Sequence, residues 1–213
     1  MNKTSPGFVS NTGGEEDRVG SKWSLAALKQ EWREQGLNSS AIFAKIKSLI
    51  VKTLISVEPH IYNKVRRSNA RRTTCFELFG FDVLVDEYME PWLLEVNVSP
   101  SLSAPSPLDR KIKGLLLTDL YNLVGVATAP FTAGPRPENP QERNDALVVV
   151  EAEEENYRRG RFKKLFPVQQ TLGQYTGLFE FQRHNNSLLW THVTGRNAGL
   201  KRYFKRVKHP INV

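Results

Sequence analysis

Two strand-forming apolar runs in this chain, Phe79-Gly-Phe-Asp82-Val-Leu-Val85 and Trp92-Leu-Leu-Glu95-Val-Asn97-Val98, carry acidic or amide side chains where a buried strand does not tolerate them unpaired. Phe76 to Val85 and Trp92 to Val98 are rich in aromatic and β-branched residues. The six residues Asp86–Pro91 between them are polar and end in proline, so the pattern predicts a β-hairpin. Pairing symmetric about that connection matches residues whose numbers sum to 177. Asp82 then faces Glu95, and Asn97 lies one repeat further along the same face. Gly80 falls opposite Asn97 and, lacking a side chain, leaves room for a ligand.

Two carboxylates so placed repel each other unless a cation sits between them. An all-oxygen donor set of hard character suits magnesium over zinc, and a phosphate carried with that magnesium is the implied partner. Acids on an arbitrary hairpin are more often the solvated face of a half-buried sheet. Here both faces of both runs are apolar, so a solvated face would expose several large side chains. Glu77 alternates to the other face and is read as structural.

At these residues the chain resembles the tubulin tyrosine ligase-like family. The matching run is Cys75-Phe-Glu-Leu-Phe-Gly-Phe-Asp82, a short turn, then Pro91-Trp-Leu-Leu-Glu95-Val-Asn97-Val-Ser-Pro-Ser-Leu102. The similarity extends to Asn2-Lys3, Lys22-Trp-Ser-Leu25, Ile50 to Pro59 and Ser106-Pro-Leu-Asp109, covering roughly Met1 to Val126. The resemblance implies an α+β fold: the C-terminal portion of an ATP-grasp domain, an antiparallel sheet with packing helices, followed by a basic, partly helical tail. It implies ATP and magnesium as cofactors, with Asp82, Glu95 and Asn97 as the metal ligands. The implied activity is ligation of L-glutamate onto glutamate side chains of tubulin or other acidic proteins through an acyl phosphate. Val98, where elongating members carry histidine, and the segment Leu147 to Pro167 are similar to the initiating polyglutamylases. The family's phosphate-gripping lysine, glycine-containing loop and substrate-orienting arginines precede the residues matched here, so a catalytic domain truncated on its N-terminal side is expected. Lys3 is a candidate for a positive charge near the substrate, against the plainer alternative of a solvated terminal lysine.

Composition separates the chain into parts. Residues 1–126 hold the family resemblance. Residues 127–150 include Pro130, Pro135, Pro137 and Pro140 and read as a linker. Residues 151–213 form a basic module: from Asn156 onward there are twelve Lys or Arg against the single acid Glu180, a local net of +11 in a chain whose total is +8. Such a module suits a polyanion, nucleic acid among them, and the resemblance implies microtubules with their glutamate-dense tails as the favoured acidic partner. One cysteine, Cys75, permits no internal disulfide and reads as a small core residue in a reducing compartment. No signal peptide or membrane-inserting segment is indicated. The resemblance implies a cytoplasmic, cytoskeletal location, with the cilium or basal body as its finer form.

The remaining periodicities predict packing helices over Trp23–Gly36, from Ser40 until Pro59 stops it, and over Ile112–Val124. The Gly-rich, acidic loop Ser5–Gly20 lacks phosphate-loop spacing. Two classes of function are consistent with all of this: an ATP-dependent protein glutamate ligase, or a non-catalytic fragment that binds microtubules or another polyanion through its tail.

Overall fold

The computed structural model describes residues 6–9, 17–18, 20–68, 75–125, 131–133, 138–196 and 204–206. In chain order the elements are α1 (Leu25–Glu34), α2 (Ser39–Arg67), β1 (Phe79–Val85), β2 (Pro91–Val98), α3 (Pro107–Leu123), β3 (Phe131–Ala133), α4 (Pro140–Arg158), α5 (Leu172–Tyr175) with a following 3-10 turn, α6 (His184–Val193) and β4 (Phe204–Arg206). They form two units, Met1–Ile50 with Glu77–Thr118, and Val51–Phe76 with Asp119–Val213. Both α2 and α3 run from the first unit into the second.

In the first unit, Ser24 caps α1 by accepting a hydrogen bond from the Ala27 N–H at 3.0 Å, and Gly36, at φ 76°, ends the helix as its composition predicts. Trp32, Ile42 and Phe43 form the core, with Leu28, Leu37, Ile46, Val85 and Met89 packed against it. Val85 and Met89 belong to the hairpin. Its turn end is therefore seated on α1 and α2, and an ion pair from Lys45 to Glu90 adds to that seat.

The hairpin is antiparallel, with Phe79 opposite Val98, Gly80 opposite Asn97 and Asp82 opposite Glu95, as the symmetric pairing predicts. Towards the turn the register changes. Val83 pairs with Leu93 and Val85 with Pro91, leaving Leu94 as the extra residue of a β-bulge. The connection is thus the five residues Asp86–Glu90, one fewer than expected, and Pro91 already belongs to β2. The first strand also starts later than expected, at Phe79, so Cys75 is an exposed residue ahead of it and not a core residue.

In the second unit, Val51 and Ile55 of α2 pack with Tyr175, Leu165, Phe166 and Phe179. Pro59 does not stop α2, which continues to Arg67. A proline inside a helix forfeits one backbone hydrogen bond, and here the following turn is held from outside. Arg183 makes two hydrogen bonds to Glu58, at 2.7 and 3.1 Å, and lies 3.6 Å over the ring of Tyr62. The helix α4 begins at Pro140, inside the stretch expected to be linker, because Asn139 caps it and Pro140 occupies a first-turn position where no N–H is needed. Val148 and the wholly buried Val149 pack on Leu188 of α6. Asp145 to His184 at 2.8 Å and Glu153 to His192 at 2.7 Å flank that seam, ascending together in both helices, so α4 and α6 run in the same sense. The strands β3 and β4 pair antiparallel.

Asp119, buried on α3, closes the turn after α4. Its carboxylate accepts from the Arg161 N–H at 3.0 Å and from the Arg161 guanidinium at 3.2 Å. Gly160 sits beneath it at φ 53°, and a Cβ there would lie 2.4 Å from Asp119 Oδ1. Gly160→Ala therefore meets both a disfavoured backbone region and a steric overlap, and is expected to lower stability by about 1–3 kcal/mol in denaturant unfolding. The loss should shrink in an Asp119→Ala background, because the two residues share one contact.

Candidate metal centre

Asp82 lies directly across the hairpin from Glu95, a placement that brings Cβ atoms to about 4.5–5.5 Å. Both carboxylates are exposed, and Asn97 is half-buried. The Asn97 Nδ2 donates to Glu95 Oε1 at 3.0 Å, which aligns those two side chains on the face shared with Asp82. Among the described residues neither carboxylate is ion-paired, and no group of three or more His, Cys, Asp or Glu is arranged to hold a metal. The donor set on the hairpin is two carboxylates and one amide. That set fits magnesium, which takes one or two carboxylates, keeps several waters and leaves positions for phosphate oxygens.

The predicted residues are not all brought together. Asp82, Glu95 and Asn97 share one face. Val98, opposite Phe79, alternates to the other face and is 64% exposed, so it neither packs as an ordinary strand residue nor adjoins Asn97 on the carboxylate face. Lys3 lies outside the described residues. The space expected at Gly80 is filled: a Cβ there would lie 2.9 Å from Pro100 Cβ and 3.7 Å from Asn97 Cβ. The glycine admits a neighbouring proline, not a ligand.

The turn that sets the hairpin is built on Asp86, which the sequence pattern did not single out. Its carboxylate accepts from the Trp92 indole N–H at 2.8 Å and from the N–H groups of Glu90 at 2.8 Å and Tyr88 at 2.9 Å. The legible signal is an aspartate at the end of a strand run, followed two and four residues later by the N–H groups it accepts from, as in other Asx-type turns. Met89, at φ 61°, completes the reversal. The Trp92 indole, then the Glu90 and Tyr88 amides, hold the Asp86 carboxyl below its ordinary value, and burial opposes them.

Among the described residues, three cations of the basic segment pair with acids of their own unit. Arg158 pairs with Glu154 at 3.2 Å, Arg161 with Asp119 and Arg183 with Glu58, all three acids lying before Asn156 in sequence. Arg159 and Lys163 are exposed. The three paired cations are the counter-charge of acids on α2, α3 and α4.

Residues 1–134 match the tubulin-tyrosine ligase family, more than half the chain and the whole of the hairpin. The chain belongs to the tubulin-tyrosine ligase family. It is 34% identical over 222 residues to the tubulin monoglutamylase TTLL4 of Mus musculus, covering 79% of this chain and 18% of that protein. It is 31% identical over 243 residues to the tubulin polyglutamylase TTLL5 of Mus musculus, covering 91% of this chain and 18% of that protein. Against the tubulin polyglutamylase ttll-4 of Caenorhabditis elegans the identity is 32% over 206 residues, with 79% of this chain and 34% of that protein covered. The chain thus spans about a fifth to a third of the length of these relatives. No helix among the described residues is long and apolar enough to cross a membrane.

Because the folded Asp86 carboxyl is depressed, its contribution to the turn is fully present above the unfolded value of about 3.9 and is lost as pH falls through the lower folded value. Amide exchange at Tyr88 and Glu90 is expected to lose protection in that acid window in the native chain. Asp86→Asn should remove this dependence and reduce protection already at neutral pH.

Proposed function

We propose that this chain supplies the metal-binding hairpin of an ATP-dependent ligase that joins L-glutamate to glutamate side chains of tubulin tails. The observation that carries the proposal is the pairing of Asp82 with Glu95, with Asn97 beside it, within the residues that match a family including the similar tubulin glutamylases. In that reaction the terminal phosphoryl of ATP passes to an acceptor carboxylate, giving ADP and an acyl phosphate. The amino group of glutamate then attacks the acyl carbon, phosphate leaves and an amide remains. Magnesium bound here would offset charge on the phosphate oxygens as they rearrange.

Asp82 and Glu95 would hold that ion from opposite strands, and Asn97 would add a neutral oxygen. The hydrogen bond from Asn97 keeps one Glu95 oxygen in place beside it. None of the three acts as a general base, since the chemistry calls for charge neutralisation and alignment. Tubulin or another acidic protein is the acceptor, and the cytoplasmic cytoskeleton, including the cilium, is the setting this implies. The same family placement supports residues 1–126 as the C-terminal part of an ATP-grasp catalytic domain, with the segment from residue 151 as its extension and an aliphatic Val98 as a mark of the initiating type.

The direct test is incorporation of labelled glutamate into microtubules with magnesium and ATP, by the 213-residue chain and by a form extended upstream. Incorporation is expected, in at least one form, to be abolished by Glu95→Gln and by Asp82→Asn. Retained incorporation in both variants would exclude the hairpin as the metal site. The polyanion-binding alternative predicts instead salt-sensitive microtubule binding that Arg159→Gln with Lys163→Gln weakens and Glu95→Gln leaves unchanged.

A further inference from the structure

The exit of β2 is unusual in three linked ways. Ser99, the first residue after the strand, is a non-glycine residue in the left-handed region at φ 58°. It precedes Pro100, whose ring restricts the backbone on both sides of their bond. Pro100 in turn packs onto Gly80, the cross-strand partner of Asn97, so closely that a Cβ on Gly80 would lie 2.9 Å from Pro100 Cβ and 3.5 Å from its Cγ.

The direction of that contact decides what it does. By strand alternation, the missing Cβ of Gly80 points to the same face as Asp82 and Asn97. Pro100 therefore lies on the carboxylate face, at its far end from the turn. Asn97 is bounded on one side by the Gly80–Pro100 contact and on the other by its hydrogen bond to Glu95. A left-handed serine immediately beside a candidate site is the kind of local strain that surrounding packing must hold in place.

We infer that Gly80, Ser99 and Pro100 are positioning residues that fix the Asn97 carboxamide alongside Asp82 and Glu95 for a divalent cation. This rests on the metal reading proposed above. Ser99 turns the chain back over the sheet, Pro100 walls the end of the site, and Gly80 admits the wall.

The test is titration of the 213-residue chain with Mn2+ alone, competed with Mg2+, alongside thermal unfolding of each variant. The native chain should bind Mn2+ and Glu95→Gln should not. Gly80→Ala is expected to weaken binding about tenfold, the scale of a lost supporting contact at a metal site. In a Pro100→Gly background the same substitution should add little further loss, since the overlapping atoms are gone. Ser99 provides a second arm outside the sheet. Ser99→Gly, at home at positive φ, should keep the native affinity, whereas Ser99→Val should lose about tenfold. If Mn2+ binding is absent or independent of Glu95, the metal reading and this inference fall together. If binding depends on Glu95 but Gly80→Ala and Ser99→Val match the native chain, only this inference falls. Affinity losses that merely track lost thermal stability overturn it as well.

Discussion

Asp86 accepts hydrogen bonds from two backbone amides and one indole within six residues of itself, and those bonds set where β1 ends and β2 begins. With the connection fixed at five residues, unbroken pairing from Val85 opposite Pro91 would carry Glu95 opposite Phe81 and Asn97 opposite Phe79. Glu95 and Asn97 would then turn to the face that Phe79 and Phe81 occupy, away from Asp82. The extra residue Leu94 cancels that slip. Turn and site are out of phase by one residue, and the bulge brings them back into phase before Asp82 is reached. The seat of Val85 and Met89 on Trp32, Ile42 and Phe43 holds the turn end while this happens.

Charge is organised by a comparable matching, over longer range in sequence. The excess of cations after Asn156 looks like a separable polyanion-binding module when only composition is counted. In the fold, three of its guanidinium groups close on carboxylates of α2, α3 and α4. Each does structural work that a free surface charge would not: Arg183 holds α2 beyond its proline, Arg161 closes the turn over Gly160, and Arg158 pairs one helical turn back along α4. Exposed ion pairs contribute little to stability on their own. Here the acid of each pair is largely covered, Arg183 also stacks on Tyr62, and Asp119 also accepts from the Arg161 backbone N–H.

Strand alternation made the shared face of Asp82, Glu95 and Asn97 legible before any coordinates, and the symmetric pairing placed them opposite the right partners. It did so through two compensating departures, a shorter turn and an added bulge, neither of which periodicity reveals. The stop expected at Pro59 failed for a different reason. A proline's local cost is visible in sequence, but the Arg183 that offsets it lies 125 residues from its partner Glu58. Gly80 was recognised as a place without a side chain. What fills that place depends on the left-handed turn at Ser99, and serine carries no signal for that conformation. Cys75 and the first residues of the expected strand were over-extended because aromatic content does not mark where pairing starts.

The composition of the site also limits what it does by itself. Two carboxylates facing each other across an antiparallel pair destabilise a hairpin, and a third would compound the repulsion. An amide at position 97 avoids that and instead donates to Glu95, two residues back on the same strand. A divalent cation held between the strands would have its two positive charges formally matched by Asp82 and Glu95, with positions left for water and phosphate oxygens. The hairpin would therefore anchor and orient a metal–phosphate unit, with the ion offsetting charge on the phosphate oxygens directly bound to it. Metal affinity is then the first quantity through which Asp82, Glu95 and Asn97 would govern turnover.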